Sequence, residues 1–187
     1  MYIDGVFFCG LDAFTVLERR LKVGGKISER ELMTLVMDEE KNSAYNCAAK
    51  RLGYSLLTEK EFKAYLFGRR YLSEAVEYAA EKLKEYGYLG DCAYVKAYFN
   101  TYSEGRGDRG ICYELERKGI DVNILEDFFA ALGTDDSERC RAVAEKYMRG
   151  KVITDKTRAA LIRHLYSRGF AWESAEPVIA GHFDRSE

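Results

Sequence analysis

The sequence predicts a mainly α-helical protein: a tandem array of three three-helix repeats behind a short β-hairpin and helical N-terminal extension. Three observations predict it. Only one proline, Pro177, occurs in 187 residues, so little forces a helix to stop. Apolar residues recur at i, i+3, i+4 and i+7 over most of the chain after residue 43. One string is also written three times: Phe62-x3-Leu66-x2-Arg69-Arg70-Tyr71, Ile111-x3-Leu115-x2-Lys118-Gly119-Ile120 and Leu161-x3-Leu165-x2-Arg168-Gly169-Phe170, spaced by 49 and then 50 residues. Such self-similarity marks stacked helical units, none of which buries its apolar face alone. The repeats are placed at 43–90, 91–133 and 134–187, after an extension over 1–42.

In the extension, Ile3, Val6, Phe7 and Phe8 flank Asp4-Gly5, a hairpin turn pair. A helix is expected over Asp12–Leu21, ended by Gly24-Gly25. Ser28-x-x-Glu31 is a capping box opening a helix to about Met37, and Ser43 caps a separate helix to Arg51. Thr58-x-x-Glu61 is a second capping box. After Ser73, residues Val76, Ala79, Ala80 and Leu83 share one helix face. The corresponding helices later carry Ile124, Leu125, Phe128, Phe129 and Leu132, then Ala175, Val178 and Ile179. Asp91 and Asp135 are expected to cap the first helices of their repeats.

The repeated string has a local physical reason. Its cation complements the carbonyls at a helix C-terminus, its Gly ends the helix in a left-handed conformation, and the next apolar residue closes onto the last turn. Arg70 replaces that Gly in the first copy, so the first helix of this kind is expected to end differently.

Composition narrows the function classes. The chain is 47% hydrophobic and 32% charged, the balance of a soluble folded protein. A net charge of −2 is unlike proteins that live on bare duplex DNA, and favours a protein partner or a protein-coated nucleic acid. Five cysteines (Cys9, Cys47, Cys92, Cys112 and Cys140) include no C-x-x-C pair, which argues against a disulfide framework or a zinc site; free thiols packed as small apolar groups are expected. The start has no basic region followed by an apolar stretch, and no apolar run approaches about 18 residues, so the cytosol is the expected compartment.

No constellation for catalysis appears. Gly105-x-Gly107-x-x-Gly110 matches a dinucleotide fingerprint by letters, but it follows a helical stretch, not a strand. It reads as a flexible inter-helix loop made basic by Arg106 and Arg109. His164 has no ligand-type residue three or four positions away. Tyr78, Tyr94, Tyr98, Tyr102 and Tyr113 are able to stack on bases, yet most fall at spacings that face a core. Trp172 is expected in core or inter-repeat packing.

The sequence resembles the RecX family of RecA recombinase modulators. The carrying residues are Thr58-Glu-Lys-Glu61-Phe62, Leu83 through Asp91 with Gly87-Tyr88, Gly105-Arg106-Gly107, Ile111 through Ile120 with Glu114-Leu115 and Lys118-Gly119, and Arg168-Gly169-Phe170. Tyr2-Ile3-Asp4-Gly5 and Leu21-Lys22-Val23-Gly24 are similar to the N-terminal extension of Gram-positive members. Asp108 stands where members usually have Pro, and Arg70 where they usually have Gly. The resemblance implies a non-enzymatic, cofactor-free modulator lying in the groove of the RecA–DNA filament, restraining ATP hydrolysis, strand exchange and coprotease function in recombination and the SOS response. It is expected to be monomeric, with at most weak direct DNA contact.

The cations Arg69, Arg70, Arg117, Lys118 and Arg168 occupy equivalent places in the repeats, and with Arg106 and Arg109 they are the candidate partner-binding residues. The bland reading is that they only cap helix ends. A direct nucleic-acid binder and a generic protein scaffold are the alternatives.

Overall fold

The structure, a computed structural model, describes residues 1–11, 13–133 and 135–183, with the backbone alone for residue 14. Among them are two short strands, β1 (Tyr2–Ile3) and β2 (Val6–Phe7), and ten α-helices: α1 (Ala13–Glu18), α2 (Glu29–Leu52), α3 (Glu59–Gly68), α4 (Ser73–Glu85), α5 (Asp91–Tyr102), α6 (Asp108–Arg117), α7 (Val122–Leu132), α8 (Ser137–Met148), α9 (Asp155–Ser167) and α10 (Trp172–Phe183). The expected start of α1 at Asp12 and the ends of the expected third repeat at 134 and 184–187 lie outside the described residues. The chain divides into two compact units: Met1–Leu57 with Glu61–Leu89, and Thr58–Lys60 with the chain from Gly90 onward.

In the first unit β1 and β2 pair antiparallel, Tyr2 with Phe7 and Ile3 with Val6. Asp4 and Gly5 take φ of 49° and 83°, the two left-handed residues a tight hairpin needs. Ser28 and Glu31 cap α2 reciprocally, as expected. The expected break near Asp38–Ser43 is absent: α2 runs unbroken for 24 residues. No Gly or Pro interrupts that stretch, and a serine inside a helix does not by itself start a new one. Ala44 and Ala48 of α2 meet Ala75, Val76, Ala79, Ala80 and Leu83 of α4, with Phe62 and Leu66 of α3 completing the core. The alanines let the helix axes come close.

The second unit holds two further cores of the same design. Val95, Ile111, Leu115, Ile120 and Leu125 form one, from α5, α6 and α7. Cys140, Val143, Ala144, Met148, Leu161, Leu165, Phe170, Ala175, Val178 and Ile179 form the other, from α8, α9 and α10. Each copy of the repeated string thus supplies its apolar pair to a separate core. The fold is an all-α helical repeat.

The three strings end their helices alike. Arg70, Gly119 and Gly169 have φ of 67°, 91° and 81°. The following N–H groups reach back to the last turn: Tyr71 to the Leu66 carbonyl at 3.3 Å, Ile120 to Leu115 at 3.1 Å and Phe170 to Leu165 at 3.2 Å. The expected different ending at Arg70 is therefore corrected. Arg70 adopts the left-handed conformation that Gly takes elsewhere, which costs about 1–2 kcal/mol for a residue with a Cβ. Trp172 also departs from expectation: it is 43% exposed on the first turn of α10. Cys140 is buried and Cys9, Cys47 and Cys112 half-buried, but Cys92 is exposed, contrary to the expectation that all five thiols pack inside. Burial pushes the Cys112 and Cys140 thiols up to about 11.

Candidate functional site

Two features recur and hold the candidate residues. The first is a junction at the N-termini of α3 and α6, both within the second unit. The Glu59 N–H donates to Asp91 Oδ1 at 2.9 Å, and the Asp108 N–H donates to Asp136 Oδ2 at 2.9 Å. The expected cap at Asp91 is corrected by this, whereas Asp135 does accept from the first N–H of its own helix. Asp91 lies in the first turn of α5, whose N-cap is Gly90, and accepts from α3 instead. Asp135 accepts from its near neighbour Ser137 N–H, while the N-cap Asp136, only 4% exposed, serves α6.

Carbonyls of the repeated string meet the same two N-termini. The Thr58 hydroxyl donates to the Lys118 carbonyl at 2.9 Å. The Gly107 and Gly110 N–H groups donate to the Arg168 and Gly169 carbonyls at 3.0 and 3.1 Å. A Cβ on Gly107 would lie 2.4 Å from the Gly169 oxygen, and one on Gly169 would lie 2.2 Å from Gly110 Cα. Gly107 and Gly110 are therefore packing residues that let one backbone lie on another. The expected flexible loop is corrected: Gly107 is buried and its N–H is bonded. Asp108 adds what a proline there lacks, an N–H for Asp136 and a carboxylate for Arg139 Nη2 at 2.5 Å. Arg139 Nη1 also donates to the Ser103 and Arg106 carbonyls at 3.2 and 3.0 Å, tying α8 to the turn before α6. Burial raises the Asp108 carboxyl, more than the Arg139 charge lowers it.

The second feature is a polar and aromatic link between the first two helices of each repeat, next to the candidate cations. In the first unit, Cys47 of α2 contacts the Tyr65 hydroxyl at 3.7 Å, and the guanidinium carbons of Arg69 and Arg51 lie 4.8 and 5.9 Å from the Tyr65 ring centre. From α5, the Tyr98 hydroxyl donates to Glu114 Oε2 of α6, and Arg106 pairs with the same oxygen. Lys118 lies over Tyr94 and Arg106 over Tyr102, at 5.7 and 5.4 Å. Tyr94, Tyr98 and Tyr102 form a ladder along α5, with centroids 6.2 and 4.5 Å apart. From α8, Tyr147 stacks on His164 of α9 at 4.2 Å, and Lys151 caps its other face at 3.0 Å. Arg168 donates through Nε to His164 Nε2 at 3.2 Å and through Nη1 to the Gly105 carbonyl at 3.0 Å.

The electrostatics of these links differ. Burial, with the hydrogen bond to Glu114, pushes the Tyr98 phenol up to about 12. The Tyr98 hydroxyl and Arg106 hold Glu114 below the usual carboxylate range. Burial, then the Arg168 and Lys151 charges, lowers the His164 imidazole, which keeps it neutral near pH 7 and able to accept from Arg168.

The candidate cations thus fall into different settings. Arg69 and Arg70 are exposed and belong to the first unit. Arg106 is half-buried and paired with Glu114. Arg109 and Arg117 are exposed and lie over Tyr166 and Tyr113 at 5.7 and 5.9 Å. Lys118 and Arg168 sit at the inter-helix links. Of the tyrosines singled out in the sequence, Tyr78, Tyr94 and Tyr98 are half-buried; Tyr102 and Tyr113 are 45% and 61% exposed, so the core reading fails for those two. Sequence reasoning missed Arg139 and Asp136, and the i, i+4 spacing of Tyr94, Tyr98 and Tyr102 was the available signal for the ladder. Among the described residues no cluster of three His, Cys, Asp or Glu side chains is placed to hold a metal ion, and no helix is long and apolar enough to cross a membrane.

No protein-family model matches the chain. It is similar to "Regulatory protein RecX" of Clostridium perfringens, 26% identical over 184 residues that cover 96% of this chain and 87% of that protein. The protein of the same name from Clostridium beijerinckii is 28% identical, over 96% and 86%. A crystal structure of a regulatory protein RecX superposes with a TM-score of 0.74 at 22% identity, covering 95% of this chain and 90% of that one. The chain is thus similar to RecX proteins over nearly its whole length, in sequence and in fold. RecX from Lactobacillus salivarius, at 25% identity and a TM-score of 0.70, covers 79% of this chain and is itself covered over 99%. These RecX relatives are named regulatory proteins.

Proposed function

We propose that this chain is a non-enzymatic, monomeric regulator in the cytoplasm that docks on the RecA filament assembled on DNA and restrains its ATPase, strand-exchange and coprotease activities in recombination and the SOS response. The likeness to RecX over 96% of the chain carries this reading. The working division is an extension over 1–42 and repeats over 43–90, 91–133 and 134–187. The partner-facing cations are Arg69, Arg70, Arg106, Arg109, Arg117, Lys118 and Arg168. Arg109 and Arg117, exposed and steadied on tyrosine rings, suit that role best; Arg106 serves it less, because Glu114 engages its guanidinium. That engagement also weakens the alternative of direct nucleic-acid binding through Gly105–Arg109, and the net charge of −2 points the same way.

The test is RecA's ATP hydrolysis on single-stranded DNA as the chain is titrated in. The rate falls as the chain approaches one copy per RecA protomer; an unchanged rate at that ratio contradicts the proposal. Reversing Arg117 and Lys118 to Glu weakens the inhibition while helicity by circular dichroism is retained.

A further inference from the structure

The inter-helix links occupy equivalent places in the three repeats. The second holds a carboxylate of this chain: Glu114 is fixed by the Tyr98 hydroxyl and paired with Arg106, with the Lys118 charge beside it. The third puts His164 at the place of Glu114 and Arg168 at that of Lys118, and Tyr147 of α8 stacks on His164 where Tyr98 of α5 bonds Glu114. It thus keeps the aromatic wall and the cation but has no carboxylate at the central place. Around it opens a cleft lined by Glu104, Gly105, Lys146, Tyr147, His164 and Arg168, with Ala142 and Val143 as apolar wall. Glu104 is the one carboxylate among those lining residues, against Lys146, Arg168 and the nearby Lys151. In the first unit, Glu39 and Glu40 line the same opening as Arg69 and Arg70, so the charges there are already balanced.

We propose that the third-repeat cleft takes an acidic side chain from a carboxylate-rich segment of a partner protein, in the place where the second repeat holds its own Glu114. Arg168 is positioned for this, since its bonds to the Gly105 carbonyl and His164 fix the guanidinium at the rim. Nucleobase stacking is disfavoured, because Lys151 covers one face of Tyr147 and His164 the other. The inference builds on the reading of the chain as a protein-binding regulator, but its test needs no RecA, so either can fail alone.

The probe is a fluorescent synthetic peptide of alternating glutamate and serine, read by anisotropy on the full chain beside a thymidine oligonucleotide of equal charge. Lys151→Glu and Arg168→Glu each weaken peptide binding about tenfold or more, whereas Arg158→Glu and Arg163→Glu, exposed cations on the same helix α9, leave it unchanged. Lys151→Glu guards against a fold defect in Arg168→Glu, because Lys151 is itself exposed, lies over the Tyr147 ring and does not bond the Gly105 turn. Absence of peptide binding overturns the proposal. So do equal losses in the two control variants, or an oligonucleotide that binds more tightly through the same two residues.

Discussion

Arg70 and Gly169 occupy the same left-handed position in equivalent helix endings, yet they answer to different constraints. Arg70 is exposed, and its φ of 67° carries a conformational cost. Arg70→Gly therefore stabilises the chain by about 0.5–1 kcal/mol, read as a shift in urea midpoint. At Gly169 a side chain meets both the φ of 81° and the Gly110 backbone. Gly169→Ala destabilises by about 2–4 kcal/mol in the same measurement. Glu114 adds a pH signature. Its carboxyl is held below the usual range by the Tyr98 hydroxyl, then Arg106, so the stability it contributes is present above its ordinary pKa near about 4.3 and is lost as pH falls through the folded-state value. The stability difference between the chain and Glu114→Gln is accordingly constant at neutral pH and shrinks on acidification; a difference that grows at low pH contradicts this assignment.

At the scale of elements, the first turns of α3 and α6 depend on acceptors that a neighbouring helix supplies. Asp108→Pro restores a favourable helix start but deletes the N–H that Asp136 accepts and the carboxylate that Arg139 meets. With Asp136 nearly buried, the loss outweighs the gain, and stability falls by about 1–3 kcal/mol by thermal or urea melting. The helices and their order were legible in the sequence because their signals are local: the capping box at Ser28, the turn pair Asp4-Gly5, the apolar faces of α4, α7 and α10, and the cation-Gly-apolar ending. What depends on a neighbour was not legible. Asp91 looks like a cap for its own helix but acts on α3, Asp136 beside the expected cap Asp135 acts on α6, and Gly107 and Gly110 read as freedom where they serve close packing. The continuity of α2 was hidden by Ser43, a good cap residue in a place where no chain break calls for one.

At the scale of the whole molecule, three cores of one design give the chain its repeat character, and its likeness to RecX proteins runs over nearly its whole length. The candidate site was legible in part. Arg117, Lys118 and Arg168 are found at the ends of the helices the pattern assigned them, and Arg109, expected in a loop, lies in the first turn of α6; the rings beneath these cations and the engagement of Arg106 arise from side-chain pairings that spacing does not encode. The proposal that this surface serves the RecA filament is tested most directly by sedimentation. RecA is assembled on single-stranded DNA, the chain is added, and filaments are pelleted at physiological salt. The account predicts that the chain pellets with the filament in proportion to RecA, and pellets much less with DNA alone. A chain that stays in the supernatant whether or not RecA is present contradicts it.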